Sequence, residues 1–135
     1  MRQIKFRAKR MDSNEWLFGS LFVDKKGQCY IKEPNGKLYF IEDKDTIGQF
    51  TGLKDKNGKD IYEGDIVKHP YIDPIFRVLV EGKNGDGVAS EIVFHDGAFV
   101  VKHDIDDFIY LDAFVRKNKV EVIGNIIDNP ELLKK

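Results

Sequence analysis

The chain has 135 residues, 41% of them hydrophobic and 12% aromatic, with 22 Lys and Arg against 23 Asp and Glu for a net charge of −1. That length is a single domain's, with room for two closely packed halves, and the composition supplies a core without covalent staples. It excludes a disulfide framework, since Cys29 is the only cysteine, a nucleic-acid footprint spread over the whole surface, and a membrane-spanning helix, since no apolar run nears the ~20 residues a bilayer requires.

Period-two alternation dominates the first half. Ile4, Phe6 and Ala8 alternate with Lys5, Arg7 and Lys9, which predicts a half-buried strand with one cationic face. Asp12-Ser13-Asn14 is a turn, and residues 15–23 resume an extended aromatic run holding Trp16, Phe18 and Phe22. Trp16 and Phe18 stand two apart among apolar neighbours, the spacing of a buried face. Strands follow at 28–32 and 37–42, separated by Pro34-Asn35-Gly36, and a shorter one at 46–50. Asn-Gly between apolar runs predicts a hairpin whose two central residues take positive φ. Cys29 falls inside the 28–32 strand, where a lone thiol packs rather than reacts.

The second half keeps the style with different lengths. Strands are predicted at 65–69 and 75–81, interrupted by Pro70 and Pro74, which cannot donate to a central ladder. A Gly- and Asn-rich loop covers 82–87, and runs at 90–95 and 98–103 flank Asp96-Gly97, a second hairpin signal. Residues 105–115 fit both a helix stripe and a strand. Residues 120–127 form a strand, and Asn129-Pro130-Glu131 opens a short terminal helix with Asn129 as its N-cap.

The pattern is that of a mainly β protein, α+β at most, with short antiparallel strands. It suggests an SH3-like barrel in the C-terminal half and a packed β-rich N-terminal subdomain, because Trp16, Phe18, Phe22, Tyr39 and Phe50 need a place of burial. One domain then spans 1–135, with subdomains at 1–62 and 63–135.

Candidate chemistry is sparse. Asp55-Lys56-Asn57-Gly58 fails as a calcium loop because Lys stands at ligand positions and no helices flank it; a β-turn with Gly58 at positive φ accounts for it. Tyr62-Glu63-Gly64-Asp65 is a tight turn feeding a β-branched strand. Glu63 and Asp65 would share a face if extended, a carboxylate pair without a third partner. His69, His95 and His103 are scattered, and with Asp104, Asp106 and Asp107 they lack zinc-site spacing. No phosphate-cradling glycine loop, nucleophile elbow or dinucleotide fingerprint occurs. No catalytic residue, metal ligand or cofactor is assigned.

Charge adds one candidate. Residues 1–69 carry 14 Lys/Arg against 11 Asp/Glu, a net of +3, and residues 70–135 carry 8 against 12, a net of −4. A solvated surface commonly varies this much. The sharper reading makes Arg2, Lys5, Arg7, Lys9 and Arg10 a nucleic-acid-binding face, with Trp16, Phe18 or Tyr30 as stacking platforms. The same opening segment, MRQIKFRAKR, lacks the apolar centre of a secretory signal, so a soluble cytoplasmic protein is expected.

Three blocks, MRQIKFRAKR, QFTGLKDKNGKDIYEGDIVK and VEVIGNIIDNPELL, lie at the start, middle and end of the chain and together resemble the YopX family of phage and prophage proteins. The matching positions of the middle block are Gly52, Asp55, Gly58, Tyr62, Gly64 and Asp65, all explicable as turn geometry. The resemblance implies a β-rich fold and action in a bacterial cytoplasm, and carries no catalytic residues. The expected function is a non-enzymatic accessory protein that binds a host or phage protein or self-assembles as a homo-oligomer. The alternative is nucleic-acid binding through the basic N-terminal strand. The remotest reading is a metal-dependent hydrolase using Glu63, Asp65 or the acidic cluster at 104–107. No membrane partner is expected.

Overall fold

An acid, two intervening residues and a glycine close three hairpins in the computed structural model, which describes residues 3–72, 79–80, 87–104 and 107–133. At residues 24–28, 33–37 and 55–59 the glycine N–H donates to the carbonyl of the acid three residues earlier, at 3.0, 2.9 and 3.0 Å. The acid's own N–H donates to the carbonyl of the residue after the glycine. Gly27, Gly36 and Gly58 take φ of +81°, +89° and +80°, where a Cβ would crowd the following carbonyl. Asp24 and Asp55 strengthen their turns, each Oδ1 accepting two backbone N–H groups at 2.9 Å. In the 33–37 hairpin Pro34 holds its position at negative φ, so only Gly36 is left-handed, unlike the Asn-Gly turn the sequence led us to expect. Asp96-Gly97 does place both residues at positive φ, +48° and +81°.

The chain divides into two compact units, Met1–Gly52 and Leu53–Lys135. Leu53 and Ile61 pack in the core of the second unit.

The first unit holds β1 (Phe6–Lys9), β2 (Trp16–Val23), β3 (Cys29–Lys32), β4 (Leu38–Ile41) and the start of β5 (Gly48–Lys54). The strands are antiparallel in the order β4-β3-β2-β1-β5. One face of this sheet buries Ala8, Leu17, Cys29, Ile31 and Ile41, with Phe6, Leu21, Tyr39 and Ile47 packed against them. Cys29 is a buried core residue. Gly19 is required where β2 nears the end of β3, since a Cβ there would come within 2.0 Å of the Lys32 carbonyl oxygen. The strand predicted from residue 46 is preceded instead by a 3-10 turn, Lys44–Thr46, capped by Asp43, whose carboxylate accepts from Asp45 N–H at 3.0 Å.

The second unit continues through β6 (Asp60–Tyr62), β7 (Asp65–His69), β8 (Tyr71–Ile72), β9 (Leu79–Val80), β10 (Val88–His95), β11 (Ala98–Asp104), β12 (Asp107–Tyr110), α1 (Leu111–Arg116) and β13 (Glu121–Asn125). Its main sheet runs β12-β11-β10-β7-β13, all antiparallel, and β8 pairs with β9 as a separate ribbon. Among the described residues no sheet closes on itself; β12 and β13 stand at the two ends of the main one. Its core gathers Ile61, Val67, Ile92, Val101, Leu111, Phe114 and Val120. The two-sided pattern at 105–115 resolves into both structures, a strand to Tyr110 and then a short helix that buries Leu111 and Phe114, three apart on one face. The expected strand at 75–81 and loop at 82–87 lie largely outside the described residues. At the C-terminal end Asn129 precedes a 3-10 turn, Pro130–Leu133, but its side chain reaches back to accept from Asn125 N–H at 3.3 Å.

Candidate functional site

Polar side chains with the look of chemistry concentrate in the second unit, and each is absorbed by the fold. Asp55 is buried; its Oδ1 serves its own turn while Oδ2 accepts from the N–H of Val122 in β13 at 2.9 Å. Burial pushes the Asp55 carboxyl up, but the three N–H donors of Val122, Lys59 and Asn57 outweigh it and hold the group below the usual carboxylate range. Lys56 N–H donates to Val120 O at 2.9 Å, so the 55–59 turn is fastened both to β13 and to the residue just before it. Asp65, also buried, accepts from Tyr62 N–H at 2.7 Å and locks the turn around Gly64, whose φ is +90°. Glu63 sits in that turn rather than on a strand, so the two acids do not line a shared strand face. Gly52, within β5, has φ of +85°.

One arrangement had no signal in the sequence. Val67 of β7 stands opposite Ser90 of β10, which brings His69, two residues on, diagonally beside Ser90. His69 Nδ1 lies 2.8 Å from the Pro70 carbonyl, an acceptor only, so Nδ1 carries the proton. Nε2 therefore accepts from the Ser90 hydroxyl, at 2.7 Å. That is the geometry of a nucleophile with its base. Yet His69 and Ser90 are 1% and 2% exposed, and the His69 ring packs 4.8 Å from Phe114. The pair satisfies two buried polar groups and offers a substrate no approach.

Of the remaining candidates, the two histidines stand at different ends of β11, while Asp104 of β11 lies opposite Asp107 of β12. His95 pairs with Asp96 at 3.2 Å at the β10–β11 turn, while His103 stands at the opposite end of β11. Asp106 lies outside the described residues, as do the side chains of His103, Asp104 and Asp107. Among the described residues no group of three or more His, Cys, Asp or Glu is placed to hold a metal ion, and no helix is long and apolar enough to cross a membrane.

The first unit shows the converse. Its β2 sequence, WLFGSLFV, is apolar in both phases, and Leu17 and Leu21 take the core side. Trp16 and Phe18, expected to be buried, point the other way with Phe22. Trp16 is half-buried; Phe18 and Phe22 are 44% and 54% exposed. Register supplies their neighbours. Trp16 stands opposite Lys9, Phe18 opposite Arg7, Ser20 opposite Lys32, and Phe22 opposite Tyr30, which stands opposite Phe40. The Phe22, Tyr30 and Phe40 rings form a row across three strands, with centroids 6.0 and 5.6 Å apart, and Phe40 is 48% exposed.

Cations flank this row. Arg7 lies buried with its guanidinium 4.7 Å over the Trp16 ring, Lys9 Nζ is 5.9 Å from the same ring, and Lys5 Nζ is 4.6 Å from the Phe50 ring. Alternation puts Lys5, Arg7 and Lys9 on one face, as the sequence suggested. Arg10 lies beyond the strand, 5.0 Å from the Tyr39 ring and bound through two nitrogens to Asp12 at 2.9 and 2.6 Å. It lines a hollow of about 270 Å³ beside Leu38 and Phe40, below the volume of ordinary ligand clefts. Arg2 is outside the described residues. Among the outward strand positions of β1–β4 none is Asp or Glu.

Comparison with known proteins gives a consistent picture. A family model described as YopX protein matches residues 5–134. A crystal structure of protein EF1440 from Enterococcus faecalis is similar over 99% of this chain and 100% of its own, with TM-score 0.63 and 26% identity. The crystal structure of protein yopX from Bacillus subtilis matches over 97% of this chain and 96% of its own, with TM-score 0.58; at 23% identity it speaks for the fold. No curated protein matches the chain by sequence.

Proposed function

This chain belongs to the YopX family, and from that premise we propose that it is a phage- or prophage-encoded accessory protein that works by association rather than by catalysis. Its binding surface on this reading is the outward face of the β1–β4 sheet. The observation that carries the proposal is the exposure of Phe18 and Phe22 on β2 and of Phe40 on β4, the two strands that flank β3, beside Leu38, which is also exposed. Apolar surface left in water forgoes roughly 25 cal/mol per Å² of burial, and contiguous patches of it commonly mark interaction sites. The enclosed Ser90–His69 pair and the committed Asp55 and Asp65 support a non-enzymatic role. The site of action is the bacterial cytoplasm, and the second unit's main sheet is the part of the fold we associate with an SH3-like barrel.

A host or phage protein, or a second copy of the chain, is the partner the family resemblance suggested first. The test is affinity capture of the tagged protein from phage-infected bacteria, comparing wild type with a Phe22→Ala, Phe40→Ala double variant. Specific companions held by wild type and lost by the variant are the expected result. Companions retained equally by both would remove the face from consideration.

A further inference from the structure

We infer that the partner is a second copy of this chain, joined through the open edge of β4 by an antiparallel β4–β4 pairing; this deepens the proposal above and rests on the β1–β4 face being the binding surface. β4 ends its sheet, and among the described residues no strand lies beyond it. The turns fix which backbone groups look outward. Glu33 N–H donates to Lys37 O, and Asp24 N–H to Gln28 O. Counting on from both pairs, alternation gives the N–H and C=O of Tyr39 and Ile41 to β3 and turns those of Leu38 and Phe40 to the open edge.

Such an edge is ordinarily blunted by charge, proline, a bulge or a cover. The second unit's main sheet has these devices at both ends. There β12 begins at Asp107 and pairs with β11 through a shifted register. On β13 Asp55 takes the Val122 N–H, and the register shifts between Val122 and Gly124. Leu38-Tyr39-Phe40-Ile41 has none of them; it pairs with β3 without a shift and exposes Leu38 and Phe40.

The strand is also its own complement. Residues opposite one another in an antiparallel pair share a face, so a two-fold axis at Tyr39 sets Leu38 against Phe40 of the second copy and Phe40 against its Leu38. Those are the residues whose backbone groups face the edge, and the Phe22–Tyr30–Phe40 row then runs on into the second copy's Leu38. Charge selects the direction. Exposed Lys37 precedes the strand and exposed Glu42 follows it. Antiparallel pairing brings the cation of each copy toward the anion of the other, where parallel pairing sets like charges together.

The measurement is sedimentation equilibrium of the full chain at increasing concentration. A pair of short strands belongs with the small, transient interfaces, so a dissociation constant of roughly tens of micromolar is expected. Leu38→Pro removes an N–H that faces the edge and none that the chain's own ladder uses, so the dimer should be lost while the melting transition survives. Lys37→Glu and Glu42→Lys should each weaken self-association about tenfold. An equimolar mixture of those two variants should regain it, because each chain then meets the opposite charge at both ends of the strand. A wild-type chain that stays monomeric at every concentration, a dimer unchanged by Leu38→Pro, or a mixture no tighter than either charge variant alone would each overturn the inference. If wild type is monomeric while the Phe22→Ala, Phe40→Ala variant still loses companions in infected cells, self-association falls and the face stands. If wild type is monomeric and that variant keeps its companions, both fall.

Discussion

The two units place unexpected residues on opposite sides of their surfaces. The second unit takes in groups that look like chemistry, Asp55, Asp65, His69 and Ser90, and hydrogen-bonds them inside. The first unit turns out groups that look like core, Phe18, Phe22 and Phe40, and leaves them near half exposure. Buried polar groups persist only when satisfied, so the first set is explained by folding. The rings of the second set touch one another across strands but keep about half their surface in water, and it is that remaining surface which the reading proposed above gives to a partner.

The contrast can be broken most forcefully at Asp55. Replacing it by Ala strands the N–H groups of Val122, Asn57 and Lys59 and unfastens the 55–59 turn from β13. With hydrogen bonds to a charged acceptor contributing about 1.5–3 kcal/mol each and partial replacement by water, a net loss of about 3 kcal/mol is expected in urea unfolding. The group also sets a pH dependence. Its folded value lies below its ordinary value, so its stabilisation is present above that ordinary value and lost as pH falls through the folded one. Asp55→Asn should therefore be less stable than wild type at neutral pH and converge with it in strong acid. A constant gap across that range would contradict the charge's role.

Ser90→Ala comes next, at about 1–2 kcal/mol, because it leaves His69 Nε2 buried without its hydroxyl donor. A loss of stability unaccompanied by any loss of the companions described above is the expected outcome; lost companions with intact stability would make the pair functional after all. Smaller still is the stability effect of Phe22→Ala with Phe40→Ala, within about 0.5 kcal/mol for each exposed site. A cost of several kcal/mol would show that these rings serve the fold. The smallest effect is expected at Glu91, half-buried opposite Lys102. Burial raises its carboxyl, with Lys102 opposing and Glu63 adding to the rise. A carboxyl raised in the folded state disfavours folding once pH exceeds its ordinary value, so Glu91→Gln should gain slightly at neutral pH and nothing near pH 4, which is about that value. Equal gains at both would point to packing instead.

Much of the fold was legible in the chain because its information is local. The turn at 55–59 needs an acid and a glycine three apart, and the strands of both units show alternation. The site was harder, for two physical reasons. In β2 both phases are apolar, so alternation could not say whether Leu17 or Phe18 faces the core; only the partner strands decide, through Ile31 and Ala8. His69 and Ser90 are 21 residues apart and meet through the β7–β10 register, which no local pattern encodes. The Phe22–Tyr30–Phe40 row likewise depends on two hairpin registers together. The cations of β1 were legible, since Lys5, Arg7 and Lys9 alternate, but their aromatic companions were not.

The most direct test of the account is affinity capture from phage-infected bacteria with wild type, the Phe22→Ala, Phe40→Ala double variant and Ser90→Ala side by side. The account predicts companions held by wild type and by Ser90→Ala and lost by the double variant. Companions retained by the double variant, or lost by Ser90→Ala alone, would contradict it.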